Sequence, residues 1–236
     1  MLRIEMGITG MSRKDAAGII GNYYQTKPVY KGGTNFKYSI KDWEVFLDTE
    51  IEPQKAEEIV GDDYKVGICI PKSNQEEISG ILGFLKEAGA ILNQSCRLTV
   101  AIKESGHTIK SKENLTKLFE SKKELIVKAL GIGDGNIEFS EEKVIFRLFR
   151  ATLDAERILA YEQFCTLLNQ MAINSKSARS KKTETDNEKF TFRVFLVRLG
   201  MINDEYKFAR KVLLENLEGN SAFRSGAKPE KIADTE

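Results

Sequence analysis

The order in which the chain changes its hydrophobic period constrains its fold more than any other feature. Segments alternating every two residues crowd the first part of the sequence, and segments repeating every 3.6 residues dominate its end. Residues 2–8 (LRIEMGI) alternate as a first strand. Ser12 stands where it caps a helix over 13–24, with Ala16, Ala17, Ile19 and Ile20 on its apolar side. Residues 25–35 (QTKPVYKGGTN) form a turn-rich connector, and strands over 36–40 and 43–48 make a hairpin across Lys41 and Asp42. Residues 52–63 are acidic and polar, helix or loop. Residues 64–70 (YKVGICI) are a buried strand stopped by Pro71. Asn74 caps a helix over 75–88 that Gly89 closes, a strand follows over 95–102, and Ser111 opens a helix over 112–130 closed by Gly131. A strand over 143–149 leads to two long helices, 154–174 and 189–217, the second open to a break at Gly200. Strands followed by helices, without strict βαβ alternation, indicate an α+β fold: a mostly antiparallel sheet with helices packed on one side. A single domain over residues 1–220 is expected, with a helical part at 154–217 and a frayed tail at 221–236.

Charge narrows the partners. Lys and Arg number 36 and Asp and Glu 35, a net charge of +1, so no global field draws the chain to nucleic acid or membrane and charged recognition must come from a local patch. Cys69, Cys96 and Cys165 form no CxxC pair and are odd in number, which argues against a disulfide framework or zinc site and for buried, reduced thiols. No stretch reaches the roughly 20 apolar residues that span a bilayer, and no leader pattern opens the sequence, so a cytoplasmic protein without membrane contact is expected.

Six phrases, in order, carry a family resemblance: RIEMGITGMSRKDAAGIIGNYY, WEVFLDTEI, FLKEAGAILNQSC, GHTIKSKENLTKLFESKKELIVKALGI, FRLFRATL and TDNEKFTFRVFLVRLG. Together they resemble the amidoligase family, from residue 1 to about 224. The resemblance implies a glutamine-synthetase-like catalytic-domain fold and ATP-dependent carboxylate–amine ligation, in which divalent metals bridge ATP phosphates. That chemistry needs several hard oxygen ligands on one sheet face.

Set against the family pattern, those ligands are mostly gone. The family's Glu-x-Glu strand reads Arg3-Ile4-Glu5 here, and its Glu-Leu-Val-Ser-Pro reads Gly67-Ile68-Cys69-Ile70-Pro71. Its Ser-Cys-Gly-x-His-x-His strand reads from Ser95 to Ala101 with Arg97 and no histidine, and its Glu-Phe-Arg strand reads Ile145-Phe146-Arg147. Glu5, Asp48 and Arg147 remain. At an effective dielectric of about 20, unit charges 4 Å apart interact by about 4 kcal/mol, and a divalent ion roughly doubles that, so a guanidinium at a ligand position opposes metal binding.

Arg3, Arg97 and Arg147 are therefore candidates for binding an anion or substrate carboxylate, and Glu5 and Asp48 are residual family acids that either ligate or pair with those arginines. No catalytic residue is assigned, and no metal or cofactor is expected. His107, the single histidine, reads as a solvated or capping residue before a helix. The 131–135 GIGDG run lacks the Lys-Ser/Thr of a phosphate loop and reads as a turn. The 174–182 run NSKSARSKK gathers Lys176, Arg179, Lys181 and Lys182, either a solvated interhelical loop or a contact for phosphates of ATP or nucleic acid.

The sequence thus predicts a degenerate amidoligase-fold protein that binds or inhibits a macromolecular partner, a protein or ribonucleoprotein. Association of such families with mobile elements makes an anti-defence role against a host complex conceivable. The alternatives are an active ligase with metal ligands relocated to Glu5, Asp48, Glu50 and Glu104, which alone would require ATP and Mg²⁺, and a nucleic-acid binder using the basic run.

Overall fold

One eight-stranded antiparallel sheet organises the first part of the chain. The computed structural model describes residues 3–33, 36–47, 66–71, 75–92, 96–103, 106–140, 142–181 and 185–222. Its strands are β1 (Arg3–Ile8), β2 (Val29–Gly32), β3 (Lys37–Ile40), β4 (Trp43–Leu47), β5 (Val66–Ile70), β6 (Arg97–Lys103), β7 (Asn136–Phe139) and β8 (Lys143–Arg150). They run in the order β2-β3-β4-β5-β1-β6-β8-β7, every pairing antiparallel. The helices are α1 (Arg13–Tyr23), α2 (Gln75–Glu87), α3 (Ile109–Glu120), α4 (Lys123–Ala129), α5 (Ala155–Asn174), α6 (Glu188–Leu199) and α7 (Lys207–Leu214). The α+β class read from the sequence is therefore the observed one.

Contacts divide the chain into two compact units, Met1–Gly106 with Asp134–Thr166, and His107–Gly133 with Leu167–Glu236. In the first, the two-residue period of the strands gives the sheet two unlike faces. Ile4, Met6 and Ile8 of β1, Trp43, Val45 and Leu47 of β4, and Ile68 and Ile70 of β5 are almost wholly buried on one face. Each such side chain contributes about 1.5–3 kcal/mol by leaving water. Helices cover this face: the Trp43 indole donates to the Tyr24 hydroxyl just after α1 (2.9 Å), and Phe149 of β8 stacks on Tyr161 of α5 with ring centroids 4.2 Å apart. Phe149 reaches that face through a bulge, since Leu98 opposes Phe149 while Val100 opposes Phe146.

The second unit is helical in its described residues. Thr108 caps α3 in a capping box closed by Ser111, and the Asn187 side chain caps α6 by accepting from the Phe190 N–H at 3.1 Å. Gly200 stops α6 at φ 104°, a conformation that costs glycine little, and α7 then packs Ala209, Val212, Leu213 and Leu214 inward.

The structure corrects several boundaries. The 25–35 connector contains β2, an edge strand whose exposed Val29 and Tyr30 give no alternating burial signal. The helix read as 112–130 begins at Ile109, with Thr108 rather than Ser111 as its cap, and breaks into α3 and α4 where the Ser121 hydroxyl donates back to the Leu118 carbonyl (2.8 Å). Asn136–Phe139, not read as a strand, forms the opposite edge as β7. The expected break near Gly200 is present. The calls on residues 52–63, Asn74 and Ser95 fall outside the described residues.

Candidate functional site

The face of the sheet opposite the apolar core carries the candidate site. Register sets its chemistry: Glu44 of β4 and Glu5 of β1 both oppose Cys69 of β5, and Glu5 also opposes Thr99 of β6. Arg3, two residues from Glu5 on the same face, bridges the two acids. Its Nε lies 2.6 Å from Glu5 Oε1, and its Nη2 donates to Glu44 Oε2. Lys37 of β3 donates to the other Glu44 oxygen at 2.7 Å. Two carboxylates thus meet two cations in one neutral chain. Partial burial works against ionisation of Glu44, but the Lys37 hydrogen bond and the charges of Arg3 and Lys37 outweigh it and hold its carboxyl below the usual range. Burial pushes the Cys69 thiol up to about 12 despite the opposing pull of Arg3, so at neutral pH it is neither nucleophile nor thiolate ligand. None of the three cysteines is in a disulfide, and all three are buried.

Next to this chain lies a pocket of about 60 Å³. Gly7 and Gly67, directly opposed on β1 and β5, form its floor, and Phe46, opposed to Gly67 on β4, forms a wall. The Phe46 ring lies across Gly67: a Cβ built there would stand 2.2 Å from Phe46 Cε2. Glu5, Thr99, Arg97 and Arg147 supply the polar lining. Arg97 is exposed, and its cross-strand neighbour is Arg150, a like charge that leaves it without compensation along the ladder. Arg147 keeps one partner, Glu138 of β7, with Nε 3.1 Å from Oε2. The Arg147 hydrogen bond in turn holds the Glu138 carboxyl below the usual range.

Two of the three arginines read from the sequence therefore line one pocket, and the third is committed to Glu5 and Glu44. Glu44, Lys37, Phe46, Thr99, Glu138 and Arg150 were not singled out by the sequence, since their place depends on strand register. Asp48, Glu50, Glu104 and Lys182 lie outside the described residues. Lys176, Arg179 and Lys181 are exposed in the second unit, which does not contain the pocket residues.

The metal and nucleotide that the resemblance implies do not fit these residues. Mg²⁺ needs near-octahedral oxygen ligands at about 2.0–2.1 Å, whereas Glu5 is in contact with Arg3, and Glu44 with both Arg3 and Lys37. Arg3 Nε is buried 2.6 Å from Glu5 Oε1, close enough for charge attraction but not aligned for a hydrogen bond, so a guanidinium rather than a metal ion already answers that carboxylate. A volume of about 60 Å³ holds roughly two waters, far below the roughly 300 Å³ at which small-molecule pockets begin. A single carboxylate or phosphate group fits that scale; a whole nucleotide would not be enclosed by it.

A second constellation looks catalytic and is not. His107 Nδ1 lies 3.1 Å from Ser111 Oγ and Nε2 2.8 Å from Asn169 Oδ1, a Ser-His-Asn array. Ser111 is only 4% exposed, and its hydroxyl is consumed by the Thr108 N–H (2.8 Å) and carbonyl (3.0 Å). The array ties α3 to α5: His107 is half-buried and bonds two side chains, while the cap expected of it is Thr108.

Comparison with known proteins places the chain. Residues 4–139 match the family model described as "Putative amidoligase enzyme", more than half of the sequence and ending with β7. The chain belongs to the amidoligase family. No functionally curated protein matches it. Among solved structures it is similar to a chain in the crystal structure of the complex between the prokaryotic ubiquitin-like protein Pup and its ligase PafA, at 9% identity and a TM-score of 0.34. The alignment covers 72% of this chain and 46% of that one, so the chain spans less than half the length of its structural relative.

Proposed function

We propose that this chain is a non-catalytic amidoligase-family protein whose sheet pocket binds a single compact anionic group without metal. The observation that carries the reading is the Phe46 ring across Gly67, in the space a longer side chain at residue 67 would need. The paired state of Glu5 and Glu44 supports the loss of ligase chemistry, because a cation at the site would have to displace Arg3 and Lys37. Arg97, exposed, beside Arg147 and the Thr99 hydroxyl, supports retention of an anion site. Such a site can recognise one carboxylate or phosphate on a larger partner, with two guanidinium planes fixing its orientation.

Thermal-shift titration of the intact chain tests this. A ligand at 100 times its Kd stabilises by about 2.7 kcal/mol, which in a chain of this size raises Tm by roughly 5–10 °C. Inorganic phosphate or acetate is expected to raise Tm in the parent and not in Arg97→Ala, while MgCl₂ adds nothing to the effect of ATP. A magnesium-dependent rise with ATP, abolished by Glu5→Ala, would overturn the reading in favour of an active ligase.

A further inference from the structure

The basic run after α5 takes no part in the pocket, yet the structure holds it in a defined path. Asn114 of α3 is 2% exposed and spends its side chain on this segment. Its Nδ2 donates to the Ser175 carbonyl at 2.7 Å and to the Ala172 carbonyl at 3.4 Å, and its Oδ1 accepts from the Ala178 N–H at 2.9 Å. The Ser175 hydroxyl donates to the Met171 carbonyl at 2.6 Å, fixing the exit from the helix. Lys176, Arg179 and Lys181 project from this anchored backbone, all exposed, with no acidic residue between positions 174 and 183. Lys110 and Lys117 lie four residues before and three after Asn114, so they share its face of α3. Lys117 is shared with Glu113 at 3.5 Å, a long and exposed contact that leaves its charge available.

The surroundings are basic as well. The helical unit carries 19 Lys and Arg against 13 Asp and Glu, a surplus of six in a chain whose total is only +1. The even balance of the whole sequence conceals this segregation. The segment offers lysine, arginine and serine, the side chains that contact phosphates, and holds no aromatic residue on which a base could stack.

We propose that the anchored 175–181 segment, with Lys110 and Lys117 of α3, binds the phosphodiester backbone of nucleic acid without reading its sequence. Preorganisation by Asn114 lowers the ordering cost that a free basic loop would incur on binding. Affinity then comes from displaced counterions and falls steeply with salt.

Fluorescence anisotropy of the full chain with labelled 20-nucleotide single strands and duplexes, in 50–200 mM KCl, tests the assignment. Each neutralised phosphate contributes about −0.7 to −0.9 to the slope of log K against log salt. Five cations, three in the segment and two on α3, therefore predict a loss of about 130- to 500-fold in affinity across that range. The triple variant K176E/R179E/K181E is expected to lose at least tenfold in affinity at 50 mM and most of the slope, with an unchanged thermal midpoint. Reversal of two exposed lysines elsewhere in the same unit, K207E/K211E, should leave binding within threefold. The proposal fails on any of three results: no binding at 50 mM, equal losses in both variants, or tighter variant-sensitive binding to polyglutamate, which would assign the surface to an acidic protein.

Discussion

The ring of Phe46 lies across Gly67, its cross-strand partner, in the space a side chain at residue 67 would occupy. The family pattern that the sequence resembles has a glutamate there. The pair is mutually dependent: the ring needs the missing Cβ, and the bare backbone of the glycine gains a cover. Gly67→Ala, small as it is, should cost about 1–3 kcal/mol in urea denaturation, because the Phe46 ring must leave its position. In a Phe46→Ala background the same change should be close to neutral, a coupling of at least about 0.5 kcal/mol that additive losses would disprove.

The Glu5–Arg3–Glu44–Lys37 chain predicts an acid-sensitive component of stability. The folded-state Glu44 carboxyl lies below its unfolded value. Its contribution is therefore present above the unfolded pKa, about 4.3, and is lost as pH falls through the lower folded value. Glu44→Gln should remove charge-assisted bonds to Arg3 and Lys37, costing about 1–3 kcal/mol at pH 7. The gap between parent and variant should narrow below pH 4. A gap that stays constant from pH 7 to pH 3 would show that ionisation of Glu44 contributes nothing to it, and no gap at pH 7 would show that the two cations stabilise the amide as well as the carboxylate.

Thiol chemistry gives a third expectation. With Cys69 pushed up to about 12 and Cys165 also raised by burial, both are thiols at pH 8. Cys96 is 1% exposed. A disulfide reagent such as DTNB should label none of the three within minutes in native buffer and all three in guanidinium. Rapid labelling of one thiol in the folded protein would point to an opening of the sheet near Cys69 or of α5 near Cys165.

Much of the fold is written in period and punctuation. The alternation at 2–8 and 143–149, the Ser12 cap and the stops at Gly89, Gly131 and Gly200 correspond to β1, β8, α1 and the ends of α2, α4 and α6. The two missed strands are the two sheet edges, where short, half-solvated segments carry no strong alternation. The site was less legible for a different reason. Departures from the family pattern that the sequence resembles are local to single strands, so Arg3, Gly67 and Arg97 could be read directly. Their surroundings depend on neighbours across strands: Glu44 beside Arg3, Phe46 over Gly67, Arg150 opposite Arg97. Cross-strand partners follow from register, and the bulge between β6 and β8 shifts that register by one residue in a way that no local pattern announces.

Asn114 offers the sharpest test of how the helical unit is held together. Its buried amide serves two carbonyls and one N–H of the segment leaving α5, and no other described side chain bonds to the Ala178 N–H. Asn114→Ala should cost about 1–3 kcal/mol, because it strips partners from backbone groups that are partly buried. The local effect should be larger than the global one. In hydrogen exchange the Ala178 amide, protected in the parent, should exchange at near the unfolded rate in the variant, while amides in the middle of α3 change only as far as global stability does. Asn114→Asp preserves the acceptor for the Ala178 N–H but not the donor to Ser175 and Ala172. It should therefore keep Ala178 protected while losing part of the stability. Equal deprotection in both variants would mean that the donor half of the amide, not the acceptor, fixes the loop.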